Sequence, residues 1–262
     1  MTDSNFRDTY EYIVYTLTVA LHPSVVKSIF AALDTNLNHY YSYDTNSNDA
    51  IGSNNGTDTN TPTYTAGKIS NALTLVAASS QYTSFSNTSL FPYGTNTYTM
   101  NVWVKYTTTS GNQSICMNYN ATPGNLLFYL SGGTLIHSKG GIVDLSYSWS
   151  PSSATYYMLT FVGSSTGMAT YVNGVGVASN ANTSNIADWG GSLPCGAYKS
   201  SGVIQAGWYM DGQQDEMGIW SRALSQAEIT QLYNGGAGLA YPFTPAATTP
   251  TTLGFFRFFK RF

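Results

Sequence analysis

Charge is scarce in this chain: 9% of its 262 residues are Asp, Glu, Lys or Arg, against 15% aromatic, and the formal net charge is -3. Nucleic acid is thereby excluded as a partner of the main body, because binding phosphates needs clustered Lys and Arg. Glutamate is rarer still, with only Glu11, Glu216 and Glu228. A retaining sugar hydrolase built on a sheet needs two carboxylates about 5 Å apart, commonly spaced Glu-x-Asp-x-x-Glu so that alternate residues share a face. No such spacing exists here, and Asp215 and Glu216, being neighbours, are expected on opposite faces of a strand. The expectation is a protein that is not an enzyme. Three histidines, His22, His39 and His137, stand in unlike contexts, which argues against zinc. The two cysteines, Cys116 and Cys195, have no CxxC spacing and no disulfide framework around them, so they read as separate thiols, with one bridge between them as the alternative. The N-terminus begins acidic and breaks its apolar run at His22-Pro23, so neither a signal peptide nor a transmembrane segment is expected.

What fills the chain instead is Ser, Thr, Asn and Gly between short apolar runs. "HYYSYD", "SNALTL", "YTMNVWVKY", "SICMNYN", "NLLFYLSG", "GGIVDLSY", "YYMLTFVG", "GMATYVNGVGVAS" and "VIQAGWYMD" are each of strand length and bounded by turn residues. Nine such runs without helices between them predict an antiparallel sandwich. Asn173-Gly174 suits a primed two-residue hairpin turn, which requires positive φ at both central positions. One helix is expected after Ser225, with Ser225 and Glu228 as a capping box and Asn234-Gly235-Gly236 as its stop. Trp103 and Trp220 alternate within strands and are expected in the core.

The ends differ from the middle. Between Arg7 and Leu37 apolar residues recur at four-residue steps, Ile13, Leu17 and Leu21 and then Val25, Ile29 and Leu33, a pattern interrupted by Pro23 that fits two short helices or a strand and a helix. "PFTPAATTPTT" is a Pro/Thr linker, and "LGFFRFFKRF" interleaves five phenylalanines with basic residues. Exposed aromatics of this kind mark a binding surface. Ile13, Leu17 and Leu21, together with Phe255, Phe256, Arg257, Phe258, Phe259, Lys260 and Phe262, are therefore the expected docking elements for other subunits of a protein assembly.

The landmarks "YYSYDTNSNDAIGSNNGT", "YTAGKISNALTL", "YTMNVWVK", "YYMLTFV", "MATYVNGVGVAS" and "QDEMGIWSRALSQAEITQLYNGG", in that order, resemble the laminin-G-like, concanavalin-A-like jelly-roll family over about residues 39 to 240. The last is the most specific: an Asp-Glu step into a strand, then Arg-Ala-Leu-Ser opening a short helix. The first departs from the family, with Tyr43-Asp44-Thr45-Asn46 where Phe-Asp-Gly-Asn is usual. The resemblance implies an all-β fold, two curved antiparallel sheets face to face, and binding without catalysis in most members. The expected organisation is a helical docking segment over 1–38, a jelly-roll domain over 39–240, and a linker with an aromatic-basic tail over 241–262.

Two sites follow as candidates. Asp44, Asn46 and Asp49, with Asn48 and the Gly52 turn, form a loop dense in hard oxygen ligands of the type calcium takes, and the resemblance places Asp215 beside that loop; a plain Asx-rich turn is the alternative. Trp189, Tyr198, Trp208 and Tyr209 lie in or beside a long loop where amphipathic rings could stack on sugars; ordinary core or interface aromatics are the alternative. A lectin-like body with an attachment element at each end fits a surface-displayed structural protein of a virion. A cell-surface adhesin or extracellular filament subunit is the second reading, and a glycan-active enzyme the third.

Overall fold

A computed structural model describes residues 33–86, 90–91, 94–120, 124–140, 145–186 and 191–243. Its strands are β1 (Leu37–Tyr41), β2 (Thr57–Thr59), β3 (Thr63–Ala66), β4 (Asn71–Leu75), β5 (Tyr82–Ser86) and β6 (Tyr98–Tyr106). They continue as β7 (Asn112–Asn120), β8 (Gly124–Ser131), β9 (Thr134–Lys139), β10 (Leu145–Ser148), β11 (Tyr156–Ser164) and β12 (Gly167–Val172). The last are β13 (Val175–Asn180), β14 (Ser192–Cys195), β15 (Tyr198–Ser200), β16 (Val203–Ile204) and β17 (Gly212–Trp220), before helix α1 (Gln226–Tyr233). The first sheet runs β13-β12-β11-β6-β17-β4-β3, with β1 paired to β17, and the second runs β10-β9-β8-β7-β14-β5-β2. Neighbours pair antiparallel, except that β15 runs parallel to β7.

The expected antiparallel jelly-roll sandwich is the fold observed. Its core is the space between the two sheets, filled by alternate residues of each strand, among them Met100, Val102, Val104, Phe128, Leu130 and Phe161. Asn173 and Gly174 take φ 51 and 79, the conformation expected of the β12–β13 turn. Ser225 caps α1 with a complete capping box, and Asn234 ends the helix in the left-handed region. First and last strands do lie side by side, Tyr41 opposite Met217.

Three features differ from the sequence reading. "VIQAGWYMD" is strand only at Val203–Ile204; the rest is loop, because its polar and glycine positions break alternation and Gly207 sits at φ 78. The cysteines form a disulfide: Cys116 on β7 and Cys195 on β14 stand directly opposite one another with Cα atoms 4.0 Å apart. Lying 79 residues apart, they are adjacent only through strand pairing, which no spacing rule captures. Finally, the first sheet is covered on its outer side by a second apolar cluster. Trp103, Trp220, Tyr40 and Met158 pack there under Ile229 and Leu232 of α1, with Leu33 and Phe243 completing it. Both tryptophans are core residues as expected, in this outer layer. Phe243, only 3% exposed, and Tyr241, whose amide donates to Tyr40 Oη at 2.9 Å, carry the packed unit past residue 240.

Candidate functional site

Sheet pairing determines which side chains face away from the sandwich, since directly paired residues point the same way. On β8, Phe128 and Leu130 enter the core, so Leu127 and Tyr129 face outward. Leu127 pairs with Met117, and Met117 with Tyr198, so Tyr198 lies on that same outer face. Thr83 pairs with Cys195 on the core side, which turns Tyr82 outward. The loop between β16 and β17 then folds back over the sheet. It is held by Gln205 N donating to Tyr198 O at 2.8 Å, Met210 N donating to Gly196 O at 2.8 Å, and Asp211 N donating to Gln113 Oε1 at 2.9 Å. These bonds set Trp208 edge-on against both Tyr198, at 5.1 Å, and Tyr129, at 5.5 Å. Tyr209, next in sequence, lies 6.4 Å from Tyr82. All five rings are half-buried.

Of the four sugar-stacking residues expected from sequence, the structure brings Tyr198, Trp208 and Tyr209 into this one row, while Trp189 lies outside the described residues. Tyr129 and Tyr82 were missed. The signal available for Tyr129 was its outward phase in "NLLFYLSG", which becomes legible only once the neighbouring strands are known.

The calcium candidates separate. Asp49 is buried and engaged: its carboxylate bonds His39 Nδ1 at 2.6 Å and accepts from the amides of Tyr40, Ile51 and Asn54. Burial pushes its carboxyl up, but the bonds from His39, Gly52 and Ile51 outweigh that and hold it below the usual range. Asn46 caps the amide of Asn48 at 2.9 Å, and both are exposed. Asp44 and Asp215 do converge, on the turn between β3 and β4. Asp215 Oδ2 accepts from Lys68 N at 2.8 Å and Ile69 N at 3.0 Å, and Asp44 Oδ1 accepts from Asn71 N at 3.1 Å. Burial, with the neighbouring Asp44 adding to it, lifts Asp215 to about 7. Its Oδ1 is buried without a hydrogen-bond partner.

Glu216 follows at a β-bulge. Pairing jumps from Asp215 opposite Trp103 to Gly218 opposite Asn101, and Glu216 takes φ 51. The regular alternation expected of Asp215 and Glu216 therefore breaks at this point. Burial raises the Glu216 carboxyl to about 8. Calcium takes six to eight oxygens, and the Asp44–Asp215 pair with its unbonded Oδ1 fits that chemistry in kind. Among the described residues no group of three or more His, Cys, Asp or Glu side chains assembles, so the remaining ligands would be amide or main-chain oxygens. The docking residues Ile13, Leu17, Leu21, Phe255, Phe256, Arg257, Phe258, Phe259, Lys260 and Phe262 lie outside the described residues.

The family model described as the concanavalin A-like lectin/glucanases superfamily, of laminin-G type, matches residues 77–230, more than half of the chain. The chain belongs to that superfamily. No curated protein matches it. Among solved structures, this lectin-like chain is similar to domain 4 of AbnA, an extracellular arabinanase of Geobacillus stearothermophilus, in complex with arabinotriose. That likeness has 20% identity and a TM-score of 0.60, over 74% of this chain and 96% of that one. The binding domain of Paraclostridial Mosquitocidal Protein 1 matches at 18% identity and a TM-score of 0.62, covering 78% of this chain and 53% of its own. A mutant of the Trypanosoma rangeli sialidase displaying trans-sialidase activity matches at 14% identity and a TM-score of 0.55, over 78% of this chain and 34% of that chain. At these identities the likeness is one of fold, shared by binding domains and by domains of glycosidases.

Proposed function

We propose that the chain is a non-enzymatic, lectin-like binding module whose glycan site is the outer face of the second sheet. The observation that carries this reading is the Tyr129–Trp208–Tyr198 cluster, three half-exposed rings held edge to face by a loop tied down at both ends. Aromatic faces stack on the C–H surface of sugar rings while nearby hydroxyls take up their hydrogen bonds. Among the described residues no two carboxylates pair on this face, which supports binding without turnover. The arabinotriose-bound arabinanase domain and the binding domain of the mosquitocidal protein among the chain's structural neighbours agree with a binding role.

Structural calcium at Asp44 and Asp215 belongs to the same proposal. The ion would neutralise Asp215, which burial leaves poorly solvated, with Asp44 beside it as a second carboxylate. Display is proposed on the outside of a virion or a comparable surface assembly, with the chain ends docking to other subunits. An exported adhesin is the second setting, and the Cys116–Cys195 disulfide favours it, because disulfides persist in oxidising surroundings.

The deciding experiment is a glycan array followed by calorimetry with the parent protein and Trp208→Ala. Binding that weakens at least tenfold in the variant, with an unchanged circular dichroism spectrum, supports the module. Loss of no affinity, or turnover of any glycan on the array, overturns it.

A further inference from the structure

We infer that the ligand of this face is an uncharged glycan chain, read along its length rather than at a charged terminal residue. The inference rests on the glycan-binding reading above and adds its chemical class.

The first argument is charge. Among the described residues there are five cations, and four of them are placed elsewhere. The ammonium of Lys68 lies over Trp103 and that of Lys105 over Tyr156, both on the first sheet. Lys139 is fully buried, its ammonium 3.3 Å from Asn96 O. Arg222 bridges Glu228 at 2.7 Å beside α1. Lys199 is the exception: its position alternates away from Tyr198 on β15, but its ammonium reaches Ser192 Oγ at 3.3 Å, and Ser192 pairs with the outward Ser86 of β5. Among the described side chains, the outward positions of β5, β7, β8, β9, β10 and β15 carry Ser, Thr, Asn, Tyr, aliphatic residues and Met117, none of them charged. A carboxylate or sulfate seated on the aromatic row would give up its hydration for one cation among the described residues, Lys199, already bonded to Ser192, which is costly. Hydroxyl-bearing sugars give up only bonds that Ser, Thr and Tyr can restore.

The second argument is extent. Thr83, Cys195, Cys116 and Phe128 form one row across four strands. Tyr82 stands one residue before Thr83 and Tyr129 one after Phe128, so both lie on the next row, on the outer side. They are three strand spacings apart, about 14 Å at the usual 4.8 Å per strand. Tyr209, Trp208 and Tyr198 fill the interval between them. A row of rings of that length suits successive sugars of a chain.

The test uses the full protein in calorimetry against uncharged arabino-, xylo-, gluco- and galacto-oligosaccharides of one to four units, beside 3′-sialyllactose and a heparin hexasaccharide, in 50 and 500 mM salt. The expected result is affinity for at least one uncharged series that rises tenfold or more from one to three units and is unchanged by salt, with no binding of the two anionic probes. Tyr82→Ser should erase the gain from the third unit, and melting of the variant checks its fold. Binding confined to the anionic probes, lost in Lys199→Gln or in high salt, overturns the inference and leaves the lectin reading standing, as does full affinity for a single sugar. No binding of any probe overturns both.

Discussion

His137 shows how a polar residue is used inside this sandwich. It is 1% exposed, its Nε2 lies 2.6 Å from Tyr98 Oη, and its Nδ1 lies 3.2 Å from Thr170 Oγ1. Burial first, and then the charge of Lys139, lower its pKa to about 3. The folded protein therefore holds this imidazole neutral while the unfolded chain takes up a proton below about 6.5. Its stabilising share is complete above that value and is lost as pH falls from about 6.5 towards 3, at about 1.4 kcal/mol per pH unit. The raised carboxyls of Asp215 and Glu216 act in the opposite sense over the same range, so the readout is the difference between parent and His137→Gln: urea midpoints between pH 8 and 4.5 should differ with the slope of one proton below about 6.5, and a pH-independent difference would mean the ring is charged in the fold. Asp49 makes the complementary case. With His39 and three amides depending on it, Asp49→Ala should cost about 3 kcal/mol, because it leaves buried donors unpaired. Denaturation at neutral pH checks the value, and a loss under 1 kcal/mol would place Asp49 outside the framework of the loop.

Among elements, β7 and β14 show what pairing does that propensity cannot. The two strands meet through Cys195 opposite Cys116 alone, and β7 then continues its pairing with β15. The disulfide thus closes a 79-residue separation at the place where the sheet changes partner. Cys116→Ser with Cys195→Ser should lower stability by about 4 kcal/mol on the chain-entropy argument, seen as a drop in melting temperature that reductant reproduces in the parent protein. Equal melting of reduced and oxidised parent would refute it. The bulge in β17 acts at the same scale. It lets the strand carry Gln214 and Met217 into the core and Asp215 to the turn at Lys68 and Ile69, a combination that unbroken alternation does not permit. If Asp44 and Asp215 hold calcium, the parent should melt several degrees higher in calcium than in chelator, and Asp215→Asn should abolish that difference, since a ion bound only by the native state stabilises it. Identical curves for the parent in both buffers would remove the calcium proposal.

For the whole molecule, the second apolar layer decides where the domain ends. Phe243 stacks on Trp220 at 6.1 Å and meets Tyr40 edge-on at 5.7 Å, so it is an integral part of that layer. Phe243→Ala should cost about 3 kcal/mol, whereas removal of residues 244–262 should leave circular dichroism and melting as they are. The same truncation should abolish incorporation into the proposed assembly, measured by co-sedimentation with the particle or filament. Normal incorporation of the truncated protein would show that the tail is not the anchor.

The local chemistry of the chain determined much of this on its own. Alternating runs with turn residues between them required sheets, Asn173-Gly174 required its turn, and Ser225 with Glu228 required the start of α1, because each depends on residues a few positions apart. The ordered landmarks, of which the stretch beginning "QDEMGIWSRALS" is the most specific, marked the superfamily. The remainder depended on register. Which of Phe128 and Tyr129 faces out, whether Cys116 meets Cys195, and that Asp44 shares a turn with Asp215 while Asp49 turns inward to His39 are consequences of strands distant in sequence lying about 4.8 Å apart in the folded sheet. One residue of slippage would exchange every one of those faces. That is why Tyr198, Trp208 and Tyr209 could be picked out from their shared stretch of chain, whereas their alignment with Tyr82 of β5 and Tyr129 of β8 was decided by the tertiary structure.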